Sequence, residues 1–336
     1  MCWNLVNLAA GGVNVALAVS RVHEPCSYWV GYMPSLLLRL ALTVLCLISF
    51  GFLTTAMCQT PRLTEKQIHE LKLKAVQLIN GDRRRANLPP VQFDELSSTV
   101  GDKHCHEVLD RGVISHWSSD GRTPYMRYSW AGGRDGVAEN LSDAYGHNGA
   151  GDDDSLFREL VLLEDGLMSE KPPNDGHRQN ILTKHHTHVG IGLAWTQDGF
   201  CYAQEFIDRY VRLDQIPITA SLHDRLMIRG NIINSAYRLH SISITYEPFP
   251  HNMSKQELES TYAYSLPDDS LTLRPKAPAD LVYADGSDGE ITQDGNSFQS
   301  PIKFYKGVPG IYTIVVVLTG SNDPIQATMI SIRVEK

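Results

Sequence analysis

Four short runs between Ser115 and Leu182 carry side chains able to ligate a metal, pass a proton or bond one another. Ser115-His116-Trp117-Ser118-Ser119-Asp120-Gly121 offers one imidazole, and Gly176-His177-Arg178-Gln179-Asn180-Ile181-Leu182 offers a second. Ala138-Glu139-Asn140-Leu141 and Leu167-Met168-Ser169-Glu170 each offer a carboxylate. Two histidines and two glutamates hold a divalent cation, relay protons or form a buried hydrogen-bonded network, and spacing leaves these three open. Metal-assisted hydrolysis needs an open coordination position and a base, which the same residues supply. Nucleophilic catalysis has less behind it. No Gly-x-Ser-x-Gly occurs, and Cys105 and Cys201 sit in apolar or helical contexts without an evident catalytic partner.

Three other constellations read more plainly. His106-Glu107-Val108-Leu109-Asp110 imitates a zinc-protease helix but has Asp where the second His belongs, and reads as a solvated helix face. Asp152-Asp153-Asp154 lacks the ligand alternation of a calcium loop and reads as the cap of the next helix. His185, His186 and His188 invite a metal reading, with His186 and His188 on one face of a strand beginning near Val189; the run is expected to be a hydrated loop.

The elements that must position these residues follow from periodicity. Thr64 with Gln67 is a capping box for a helix from Thr64 to Asn80, with Ile68, Leu71, Ala75 and Leu78 at helical spacing and Gly81 expected to end it. Leu96 to Leu109 is a second helix, leading through Gly112 to His116. Leu156, Leu160, Leu163 and Leu167 form one stripe of a third, placing Glu170 one turn further on the same face, before Pro172-Pro173 ends it. Ile191 to Trp195 and Phe200 to Ile207 read as a hairpin turning at Gln197-Asp198-Gly199.

These motifs, in this order, resemble the CAP superfamily of cysteine-rich secretory proteins, antigen 5 and pathogenesis-related proteins, in its bacterial form. Further matches are Leu78-Ile79-Asn80-Gly81-Asp82-Arg83, Leu88-Pro89-Pro90-Val91, Phe93-Asp94, Val189-Gly190-Ile191-Gly192-Leu193-Ala194 and Tyr202-Ala203-Gln204-Glu205-Phe206, covering roughly residues 64 to 212. The resemblance implies a three-layer α-β-α sandwich, and it carries the family's two cavity His and two cavity Glu onto His116, Glu139, Glu170 and His177. The family often has Trp three residues before the second Glu, where this chain has Leu167. Glu205 resembles a family position on the sheet that approaches the cavity from below.

From about Asp214 the texture changes. Ile242, Ile244 and Tyr246 alternate with Ser241, Ser243 and Thr245, and Ile330, Ile332 and Val334 alternate with Ser331 and Arg333. Ile311 to Leu318 is almost continuously apolar and reads as a central strand, with Asp-Gly turns at 285, 288 and 294. Short strands of this kind suggest an immunoglobulin-like β-sandwich. The expected fold class is therefore α+β: a leader over 1–60, the CAP module over 62–212 and a β-sandwich over 214–336.

Net charge is −8, and no basic cluster exceeds Arg83-Arg84-Arg85, which argues against nucleic acid as a partner. Leu40 to Ala56 is almost wholly apolar and reads as a signal-peptide core with cleavage between about Ala56 and Thr60, or as an uncleaved membrane anchor. Met33 followed by Arg39 makes a more ordinary signal start than Met1. Four of the six cysteines lie in that leader, leaving Cys105 and Cys201 either to bridge or to stay as separate buried thiols.

The expected protein is exported, secreted or at the cell envelope. It binds a small molecule, lipid, cell-surface polymer or divalent metal such as zinc in the cleft of His116, Glu139, Glu170 and His177, with His116 and His177 as the metal-ligating pair. It meets membrane only through an uncleaved leader. A metal-assisted hydrolase and a structural or adhesive envelope protein are the competing readings.

Overall fold

The computed structural model describes residues 63–146, 152–261, 263–284, 286–320 and 324–336, which belong to one compact unit. The apolar leader, its cleavage point, its four cysteines and Asp285 of the first expected Asp-Gly turn lie outside the described residues. No helix among those described is long and apolar enough to cross a membrane.

Helix α1 (Glu65–Arg85) opens on the Thr64–Gln67 capping box and buries Leu71, Ala75, Val76 and Ile79. It runs through Gly81, where the sequence expects a stop. Arg83 is fully buried in its last turn and donates to the carbonyls of Pro89, Ile181 and Thr183. These bonds outweigh the roughly 1 kcal/mol that a mid-helix glycine costs. After β1 (Gln92–Phe93), α2 (Glu95–Arg111) is capped by Asp94, and Gly112 ends it at φ 63°. Then come α3 (Pro124–Trp130), β2 (Gly136–Tyr145), α4 (Asp153–Ser169) and α5 (Gly176–Ile181). The hairpin β3 (His188–Trp195) and β4 (Gly199–Asp208) follows. Asp152 accepts from Ser155 N, so the acidic run does cap α4.

The four strands order as β1-β3-β4-β2, with β1 parallel to β3 and the rest antiparallel. The Val-Gly-Ile-Gly-Leu run of β3 explains the layers on either side. Val189, Ile191 and Leu193 join the cluster of α1 and α4 on one face. Gly190 and Gly192 point at α2 on the other, where a Cβ on Gly192 would stand 2.3 Å from the Gly101 carbonyl carbon. Such contact distances admit only glycine, and they bring α2 tight against the sheet. The first part is thus helix, sheet, helix.

Strands β5 (Val211–Leu213), β6 (Thr219–Ser221), β7 (Met227–Ile232) and β8 (Arg238–Glu247) precede the short helix α6 (Lys255–Ser260). Then follow β9 (Ser270–Leu273), β10 (Thr292–Asp294), β11 (Ser297–Pro301), β12 (Gly310–Thr319), β13 (Ile325–Gln326) and β14 (Ile330–Glu335). One sheet is β10-β11-β7-β5 and the other β6-β14-β12-β8-β9, with β13 on β12. Ile228, Ile232 and Phe298 of the first share a core with Ile242, Ile314 and Val316 of the second. The α+β class holds for the chain as a whole. Because β5 pairs with β7, the sheets begin at Val211, ahead of the change in texture near Asp214.

Strand β12 is apolar along its length because both of its faces are covered. Tyr312, Ile314 and Val316 enter the two-sheet core, whereas Ile311 packs with Tyr125, Met126 and Val137 of the first part. Polar bonds lock the same seam. Trp130 Nε1 donates to Ser331 O at 2.9 Å, Ser331 N to Ser129 Oγ at 2.9 Å, and Gly136 N to Ala327 O at 3.1 Å.

Candidate functional site

The four side chains come from four places in the first part. His116 lies on the loop between α2 and α3, Glu139 on the outer strand β2, Glu170 just past the end of α4, and His177 in the first turn of α5. Glu170 is not on the continuing helix face, since its backbone has already turned to φ −54°, ψ 149°. The chain folds back instead, so that Glu170 accepts from His177 N at 3.0 Å and holds His177 Nδ1 at 2.6 Å.

The site is two imidazole–carboxylate pairs. His116 Nδ1 lies 2.8 Å from Glu139 Oε1, and the rings of His116 and His177 stand 6.3 Å apart, centre to centre, at 42°. Among the described residues, each ring is hydrogen-bonded only through Nδ1. A carboxylate on Nδ1 accepts that nitrogen's proton, sets the tautomer and leaves the Nε2 lone pair for a cation. The donor chemistry therefore suits a divalent ion on His116 and His177, with the glutamates standing behind them rather than ligating. His177 is about one-third exposed (32%) and His116 much less so (15%), so the cleft opens on the His177 side.

Glu139 is completely enclosed and is held by a second partner that sequence reasoning missed. Arg127, from α3, donates through Nη2 to Glu139 Oε2 and through Nη1 to His116 O at 2.7 Å. Burial pushes the Glu139 carboxyl up, but Arg127, together with the hydrogen bond from His116, holds it well below the ordinary carboxylate range. His104, also buried, is pushed down by desolvation and bonds Ser115 O through Nε2 at 2.9 Å, so it serves as a neutral prop for the His116 loop. Glu205 sits directly across from Glu139 on β4. Burial, and then the Glu139 charge, push its carboxyl well up and keep it protonated.

The second part reaches into the site as well. Tyr264, between α6 and β9, lays its ring 5.0 Å from His116 and accepts from Glu139 N through its hydroxyl at 2.6 Å. Its segment is pinned where Ser115 Oγ donates to Thr261 O and Trp117 Nε1 donates to Ala263 O. Neither Arg127 nor Tyr264 stands in a motif. A lone arginine in a polar-aromatic helix and a tyrosine far along the chain carry no local signal.

The near-miss helix run has a structural use, with Glu107 paired to Arg111 and accepting from Ser119 N. The expected hydrated histidine loop is corrected: His186 is buried, its ring stacked 4.9 Å from that of Phe206. Cys105 and Cys201 are free buried thiols in one small apolar cluster.

The model of the cysteine-rich secretory protein family matches residues 76–206, the segment that contains all four cleft residues. The Bacillus subtilis (strain 168) protein YkwD is 24% identical over 137 residues, 40% of this chain and 46% of that one, so the chain spans about half of that relative. An extracellular protein with an SCP domain from Bacillus anthracis str. Ames is 27% identical, covering 44% of this chain and 45% of that one, with a TM-score of 0.34. An outer surface protein of Borrelia burgdorferi is 16% identical over 44% of this chain and 96% of that one, with a TM-score of 0.33. The segment that builds the cleft, residues 76–206, is a CAP domain similar to those of these bacterial proteins.

Proposed function

We propose that this chain is an exported CAP-domain binding protein whose cleft holds a divalent ion, most simply zinc, between His116 and His177. One observation carries the reading: each imidazole gives its Nδ1 to its own carboxylate, at 2.8 Å and 2.6 Å, which leaves two Nε2 atoms as ligands. A bound ion supplies Lewis acidity and an anchor for an anionic or carbonyl group of a small molecule, lipid or cell-surface polymer. The chain's own residues orient the rings, while Arg127 neutralises Glu139 and Tyr264 shields His116 from water.

Binding is favoured over hydrolysis because both carboxylates that would act as a base are committed to imidazole nitrogens, and Glu205 is held protonated. The apolar run from Leu40 to Ala56 supports a place outside the cytoplasm. The two-sheet part, read as an immunoglobulin-like sandwich, serves as a spacer that also packs on the cleft. Calorimetric titration of the metal-stripped full chain with zinc, at about pH 7.5 and about pH 5, tests this, since protonated imidazole does not coordinate. Uptake at the higher pH that falls by one zinc per chain in His116→Gln and in His177→Gln is expected. Equal heats in wild type and both variants overturn it.

A further inference from the structure

A second histidine cluster lies away from the cleft, at the C-terminal end of the inner strand β4. His186 Nδ1 is 2.7 Å from Asp208 Oδ1, and His185 Nδ1 is 2.9 Å from Asp208 Oδ2. What matters is where the proton on His186 sits, and a chain of amides decides it.

That chain starts at a backbone carbonyl, which only accepts. Asn140 Nδ2 donates to His177 O at 3.0 Å and to Gln204 Oε1 at 2.8 Å, which fixes the orientation of the Asn140 amide. Asn140 Oδ1 is then turned to Asn180 and takes a hydrogen from Asn180 Nδ2 at 3.0 Å. With its nitrogen so used, Asn180 presents Oδ1 to His186 Nε2 at 2.8 Å. His186 Nε2 must therefore carry a hydrogen and donate it. In the neutral ring Nδ1 is then a bare lone pair, facing a carboxylate oxygen at hydrogen-bond distance. Two acceptors that close repel unless a cation lies between them.

A second proton on His186 is one answer, but the surroundings oppose it. The ring is buried, so a charge on it gives up its hydration. His185 Nδ1 waits on the other carboxylate oxygen as a buried nitrogen with no hydrogen bond, and two protonated rings side by side would repel. The neighbouring cation, Arg83, is directed to the backbone carbonyls of Pro89, Ile181 and Thr183. A cleft of about 340 Å³, lined by Asn180, Thr183, His185, His186, Asp208 and Gln326 among others, opens beside the cluster.

From this geometry we infer that His185 Nδ1, His186 Nδ1 and Asp208 form a second divalent-metal site, independent of the His116–His177 cleft. Two imidazoles and one carboxylate are a zinc-type donor set, and a water from the cleft completes four ligands. The Asn180–His186 bond is the outer contact that a metal-bound imidazole ordinarily makes. Tetrahedral zinc with bonds of about 2.0–2.1 Å sets its ligand atoms about 3.3 Å apart, so the imidazole nitrogens draw back from the Asp208 oxygens on loading. His185, whose side chain is 26% exposed, has room for this.

Equilibrium dialysis against zinc tests the site in the metal-stripped full chain carrying His116→Gln and His177→Gln, which silence the first cleft. This double variant is expected to take up one zinc per chain and to melt higher with zinc than without it. Adding His185→Gln, which spares the Asp208–His186 pair, should weaken uptake by at least about tenfold, while the metal-free melt stays that of the double variant. Asp208→Asn should weaken uptake likewise. Absence of zinc uptake by the double variant overturns the second site and leaves the place to a proton. Undiminished uptake after His185→Gln overturns it too, and assigns the zinc to other histidines. Neither result bears on the first cleft, which stands or falls on the wild type against His116→Gln and His177→Gln.

Discussion

Glu139 and Glu205 are register partners on neighbouring strands, and the fold keeps them in opposite protonation states. Arg127 supplies the difference. It bonds Glu139 directly, whereas burial, and then the Glu139 charge, keeps Glu205 neutral.

Replacing each by glutamine should separate the two roles. Glu205→Gln swaps a neutral carboxyl for a neutral amide of the same shape, and is expected to stay within about 1 kcal/mol of wild type at pH 6. Glu139→Gln leaves Arg127 buried without its counter-charge and should cost about 3–5 kcal/mol. The signs with pH oppose each other. The folded pKa of Glu139 is depressed, so its contribution is present above the ordinary carboxylate pKa and fades as pH falls through the folded value. The folded pKa of Glu205 is raised, so its contribution is full below the ordinary value and is lost as pH rises toward the folded one. Urea melts of both variants from acid to alkaline pH check this, and a Glu205→Gln chain as damaged as Glu139→Gln would contradict it.

Glu164 predicts a slope in stability. Burial pushes its carboxyl up to about 8 against the hydrogen bonds from Tyr202 and Gln204. Folding therefore takes up a proton between the ordinary pKa of about 4.3 and about 8, and stability falls across that window by up to about 1.4 kcal/mol per pH unit. Glu164→Gln should flatten the curve and be the more stable protein at pH 8. Equal slopes in the two proteins would refute the neutral assignment.

Tyr264 ties the second part to the cleft through one hydroxyl. Tyr264→Phe leaves Glu139 N without its acceptor and should cost about 1–3 kcal/mol. Hydrogen exchange at the Glu139 amide is the direct readout, expected to quicken in Tyr264→Phe. Unchanged protection would mean that another group accepts there.

Gly192 tests the contact that layers α2 on the sheet. A Cβ there meets Gly101 backbone atoms at 2.3 Å and 2.6 Å, which no side-chain rotation relieves. Gly192→Ala should destabilise by about 1–3 kcal/mol or more, in the manner of an overpacked core. Gly166→Ala, at an open helical position, serves as the control and should be neutral or slightly stabilising.

The elements and the identity of the cleft were legible in the chain. Thr64 with Gln67, the leucine stripe of α4 and the Asp198-Gly199 turn are local signals, because capping, helical spacing and tight turns act within a few residues. His116, Glu139, Glu170 and His177 could be named from their motifs, but not paired. That His116 takes Glu139 and His177 takes Glu170 depended on where α4 ends and how the chain folds back. Tertiary structure alone decided the rest. Arg83 carries its helix past Gly81 through carbonyls about a hundred residues away, and His186 leaves the solvent for Asp208 and Phe206. Ile311 is apolar for the sake of α3, not for its own sheets. Each of these rests on contacts between distant segments, whose energies have no period in the sequence and exist only once burial removes water from both partners.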